Sequence, residues 1–197
     1  MDATTYLRAS ARTASGEFHT DNVNIAELDF MLSAVTTAGA WADRLKRSLY
    51  YGVPQLPNSP ERWSSTSLQL KPELADLIHA ILGSITETAE LAEHVRDVLV
   101  GKAAELDPVN LKEEFGDLLW YVALGLRFLQ TDFPETFAAN IAKLQTRFPE
   151  KFTQDAALNR DLAAERAVLM EQPVISSGHG RVVVMVEQPG EPEGGIA

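Results

Sequence analysis

The sequence predicts an all-α protein, a bundle of four main helices followed by a short irregular or β-prone C-terminal tail. Three observations predict it. Apolar residues through the middle of the chain recur every three or four positions, the spacing of one helix face. The breaks between these stretches carry Pro, Gly, Asn and Asp, the residues that start and stop helices. No alternation of strand-like and helical stretches runs along the chain, so a parallel sheet is not expected.

Residues 1–22 are polar and rich in Thr, Ser and Ala, and read as a flexible N-terminal arm. A domain over 23–171 follows. Its first helix spans Asn24 to about Tyr51, with Leu28, Met31, Leu32, Val35, Ala38, Leu45 and Leu49 as the expected buried face. Gly52 and Pro54 end it. The stretch VPQLPNSPERWSSTS is a loop. Pro72 suits the first turn of a second helix running to about Val100, with Leu74, Leu77, Ile78, Ile81, Leu82, Ile85, Leu91 and Val95 expected to be buried and Gly101 as its stop. Asn110 and Glu113 suggest a capping-box start for the third helix, which runs to about Phe128. Its apolar stretch LLWYVALGLRFL suits the bundle centre or a subunit interface. Pro134 opens a fourth helix that Pro149 ends, and a further helical piece covers about Asp155 to Met170. Residues 172–197 form the tail, in which RVVVMV is β-prone.

Composition narrows the function. Hydrophobic residues at 45% and charged residues at 23% belong to an ordinary globular chain with a real core. With 17 basic and 28 acidic side chains the net charge is −11, which repels nucleic acid and anionic membranes. An anionic ligand would need a screening cation. The chain has no cysteine, which excludes disulfides and thiolate zinc sites. The opening MDATTYLRASARTASGEF lacks the apolar core of a secretory signal, and no apolar stretch approaches the roughly 20 residues that span a bilayer. A soluble, cytoplasmic protein is expected.

The second and third helices carry the chemistry. Glu87 and Glu90 share one face at i, i+3, and Glu114 and Asp117 repeat that spacing on the next helix. All four stand in apolar surroundings, among Ile85, Ala89, Leu91, Phe115, Leu118 and Leu119, where a solvated face would be polar. Small Ala89 and Gly116 would let the helices approach. Antiparallel neighbours would then bring four carboxylates together, an arrangement that like-charge repulsion disfavours unless a cation is shared. Mg²⁺ takes oxygen ligands and bridges carboxylates to phosphates. Di-iron chemistry is not expected, because His94 follows Glu90 by four residues instead of three and the second pair has no histidine. HExxH and GxxxxGK[ST] are both absent.

The segments LIHAILGSITETAELAEHV and NLKEEFGDLLWYVALGL resemble the signature of MazG-like nucleotide pyrophosphohydrolases, an EExxE element followed by ExxD. Thr86 stands where the leading acid of that signature would be, and Glu93 could add a carboxylate further along. NIAKLQTRFPEKF and AALNRDLAAERAVL continue the resemblance, which covers about residues 74–170 and is similar to small phage and bacterial members. It implies that Glu87, Glu90, Glu114 and Asp117 hold two or three Mg²⁺, with Mn²⁺ able to substitute. It also implies hydrolysis of a (deoxy)nucleoside triphosphate to monophosphate and pyrophosphate, with dGTP or GTP as the best single substrate. Asn140 and Lys143, with Arg147, share one face of the fourth helix and are implied to grip the nucleotide. Assembly as a homodimer or homotetramer is implied as well.

His79 reads as a packed histidine. Trp120 and Tyr121 read as core or interface packing, with base stacking as the alternative. Two rival functions stay open: a phosphoribosyl-ATP-type pyrophosphohydrolase, and a non-enzymatic helical interaction module.

Overall fold

The computed structural model describes residues 1–17, 19–54 and 74–171. Within them it contains seven α-helices and a 3₁₀ turn at Thr20–Asn22, and no strand. The expected all-α fold is observed. Pro72 and the RVVVMV segment lie outside the described residues.

Helix α1 (Ala3–Ala11) replaces part of the expected flexible arm. Asp2 caps it by accepting a hydrogen bond from the Thr5 amide at 2.9 Å. Helix α2 (Ile25–Tyr51) starts at a capping box between Asn24 and Glu27 and stops at Gly52, whose φ of 68° suits a residue without Cβ. Helix α3 (Ala75–Leu99) is followed by Gly101, also left-handed. Helix α4 (Pro108–Phe128) begins earlier than the Asn110/Glu113 pattern suggests. Asp107 accepts from the amides of Val109 at 2.8 Å and Asn110 at 3.3 Å, and Pro108 supplies a preset φ. Helix α5 (Phe133–Arg147) is capped by Asp132 and ends ahead of Pro149. The expected last piece divides into α6 (Gln154–Leu158) and α7 (Leu162–Glu171), because Asp161 accepts from the Ala164 amide at 2.9 Å and starts a new helix.

Helices α2, α3 and α4 pack as consecutive antiparallel neighbours. Arg96 near the end of α3 reaches Asp29 near the start of α2 at 2.6 Å. At the other end, the Tyr50 hydroxyl donates to the Ala75 carbonyl at 2.6 Å. The contact faces are not the expected ones. Small residues fill the α2–α3 seam: Gly39 and Ala42 face Ala89 and its neighbours, and a Cβ on Gly39 would fall 2.0 Å from that of Ala89. Of the large aliphatics expected inside, Leu32, Val35, Leu74, Leu77, Ile78, Leu82 and Leu91 are half-buried, whereas Ile81 is 51% exposed and Leu28, Met31, Leu45, Leu49, Ile85 and Val95 are exposed as well. Close helix approach through small side chains explains this, since bulky residues in the seam would hold the axes apart. Gly116 has open space around it and does not serve such an approach.

Helix α5 packs against α7 and α1. Tyr6 stacks on Phe137 with ring centroids 4.3 Å apart, and Arg12 donates to the carbonyls of Phe148 and Pro149. These contacts tie α1 down. Buried Glu165 of α7 accepts from Arg147 at 2.7 and 2.8 Å and from Arg160 at 2.8 and 3.3 Å.

Candidate active site

The i, i+3 spacing on α3 and the antiparallel return of α4 bring Glu87, Glu90 and Glu114 together. One carboxylate oxygen from each lies within 4.8 Å of the others, the one such group of potential ligands among the described residues. Glu87 is buried at 6% exposure, Glu114 is half-buried and Glu90 opens to solvent. Hydrogen bonding links Glu90 to Glu114 and Glu114 to Glu87. Asp117 is exposed and stands outside this group, though its charge reaches Glu87.

The electrostatics are those of a site short of positive charge. Desolvation, then the bond to Glu114 and that residue's charge, push Glu90 up to about 7. Burial, followed by the charge of Glu90, raises Glu87. Burial also raises Glu114. An all-oxygen donor set of this kind fits a hard divalent cation, which removes the repulsion that protons otherwise relieve.

Helix α2 adds two side chains that the acid spacing did not reveal. Lys46 is buried at 6% exposure on the stripe it shares with Gly39 and Ala42. Its ammonium lies 3.4 Å from Asp43, 3.9 Å from Glu87, and donates to the Tyr121 hydroxyl at 3.3 Å. Burial works against its charge, but the bond to Tyr121 and the neighbouring negative charges outweigh that and raise its pKa. Asp43 lines a cleft of about 200 Å³ with Glu90 and Glu93, between α2 and α3. The available signal was a lone lysine in a stripe of otherwise small residues.

The other residues singled out in the sequence make contacts of their own. Thr86 is buried and donates to the Leu82 carbonyl at 3.0 Å, so its hydroxyl serves its own helix. Asn140 accepts from the Tyr6 hydroxyl at 3.3 Å, and Lys143 is half-buried on the same helix. Arg147, expected on the nucleotide, is engaged through Nε and Nη2 with Glu165. His79 is packed, stacked on Tyr50 at 4.0 Å and edge-on to Trp120 and Tyr121.

Residues 77–152 match the family model described as the MazG nucleotide pyrophosphohydrolase domain. That stretch of the chain is similar to a MazG domain. All three clustered glutamates and Asp117 fall inside the match, whereas α2 with Lys46 and Asp43 lies outside it. Comparison with curated proteins gave no match, and neither did comparison with solved structures. The match suggests a nucleotide pyrophosphohydrolase, and the three clustered glutamates form a group that could hold a metal ion. Among the described residues no helix is long and apolar enough to cross a membrane.

Proposed function

We propose that this protein hydrolyses (deoxy)nucleoside triphosphates to nucleoside monophosphate and pyrophosphate, with Mg²⁺ as cofactor and dGTP or GTP as the preferred substrate. The convergence of Glu87, Glu90 and Glu114 from two helices inside the MazG match carries the reading. Glu87, Glu90, Glu114 and Asp117 are the ligands, for two or three Mg²⁺ or for Mn²⁺ in its place. The bound cation supplies charge neutralisation on the phosphates and a more acidic water. One carboxylate accepts the proton of the attacking water. Asn140 and Lys143 hold the nucleotide, and Arg147 serves mainly by fixing α7 through Glu165. The guanine preference rests on the resemblance to small phage and bacterial members.

The site is completed in a homodimer or homotetramer, acting in the cytoplasm of a bacterium or a phage host. Two features support assembly. Helix α5 packs on α1 and α7 and not chiefly on the carboxylate helices, and α3 and α4 leave apolar side chains exposed.

A panel of (d)NTPs incubated with protein and Mg²⁺, with products separated, tests this. Equimolar pyrophosphate and monophosphate, greatest with dGTP or GTP and abolished by EDTA, is expected. Nucleotide binding without pyrophosphate release would favour the interaction module.

A further inference from the structure

Lys46 is the one lysine buried below a tenth of its surface among the described residues. A buried ammonium persists only beside negative charge, and Lys46 has it on two sides, from Asp43 on its own helix and Glu87 across the seam. Helix α2 lies outside the matched domain, so the match assigns Lys46 nothing. Nor does Lys46 face open solvent, where a nucleotide phosphate could reach it.

We propose that Lys46 is the resident counter-ion of the metal site, balancing Glu87 in the metal-free protein and weakening the site's affinity for divalent cations. This rests on the carboxylates being metal ligands, as proposed above.

Two effects of Lys46 on metal binding have opposite signs, and geometry decides between them. Orientation of Glu87 by Lys46 would favour the metal. Yet the ammonium stands 3.9 Å from Glu87 Oε1, beyond hydrogen-bond distance, and its directed bond goes to Tyr121 at 3.3 Å. Orientation of Glu87 is therefore loose. The charge effect is not: a fixed positive charge a few ångströms from a second cation repels it, and Lys46 already relieves the desolvated carboxylate that a metal would otherwise rescue. The charge effect wins, so removing Lys46 leaves a less stable metal-free protein with a stronger appetite for metal.

The test is K46M in the full chain, a substitution that keeps the aliphatic bulk and removes the charge. After chelator treatment, MnCl₂ is titrated calorimetrically without nucleotide, and melting is followed with and without Mn²⁺. The Kd of K46M is expected to be about tenfold lower than that of wild type. Its metal-free melting temperature is expected to fall by roughly 10 °C, and to be largely restored by Mn²⁺. An unchanged or raised Kd would overturn the proposal. If K46M does not fold with or without Mn²⁺, the double variant K46M/E87Q, which removes both charges, is expected to fold, and its failure to do so would equally overturn it. Wild-type protein that takes up no Mn²⁺ would remove the metal-site reading itself. Wild-type binding matched by K46M would remove the role of Lys46 alone.

Discussion

Glu90 sits at the mouth of the carboxylate group, beside Glu114. Its amide analogue E90Q cannot ligate a cation as a carboxylate does. It is expected to lose at least about 100-fold in pyrophosphate release while keeping the helical circular dichroism of wild type. D117N is expected to lose activity in the same assay, and full turnover in both would refute the ligand assignment. The same residue sets a pH dependence. Glu90 binds its proton more tightly folded, at about 7, than at its ordinary 4.5. Its contribution to stability is complete below 4.5 and is lost as pH rises through about 7. Metal-free protein should therefore become less stable across that window, a loss that E90Q should flatten, measured by thermal melting in chelator. The meeting of Glu87, Glu90 and Glu114 was legible because i, i+3 acids in apolar sequence are a local pattern, one that Asp117 shares while standing outside the group. Lys46 left only the faint mark of a lone lysine in a stripe of small residues, because its role comes from the pairing of α2 with α3, which the acid spacing does not record.

At the scale of elements, the α2–α3 seam depends on close approach. In G39A the new methyl would lie 2.0 Å from Ala89 Cβ. Overpacking of about 2 kcal/mol should exceed the helix-propensity gain of about 1 kcal/mol. A lower melting temperature for G39A is expected, and a higher one would contradict the seam. E165A should likewise destabilise the α5–α7 contact, by about 2 kcal/mol, because it strands Arg147 and Arg160. Helices α2 to α5 were readable from period and breakers, with ends close to those expected. The faces were not, since a hydrophobic stripe identifies what could be buried, and here Gly39, Ala42, Ala80, Gly83 and Ala89 take the inner positions while Ile81 and Ile85 turn out. The Asn110/Glu113 pattern lost to Asp107–Pro108, a stronger start three residues earlier. Helix α1 was missed because its docking depends on Tyr6 and Arg12 meeting α5 and the stretch after it, far along the chain.

For the whole molecule, the distribution of apolar surface is the informative feature. Phe115 at 56% and Trp120 at 55% exposure accompany Leu119 and Ile81 on α4 and α3. Groups of exposed large apolar residues usually mark contacts with a partner. Light scattering is expected to give a mass of two or four times 21.6 kDa, and a monomer at micromolar concentration would contradict completion of the site by a second copy. The most direct examination of the whole account is anomalous diffraction from crystals soaked in Mn²⁺. The expected result is a peak bounded by the carboxylates of Glu87, Glu90 and Glu114. Well-ordered side chains at those positions with no peak between them, in crystals that bind Mn²⁺ elsewhere or not at all, would contradict it.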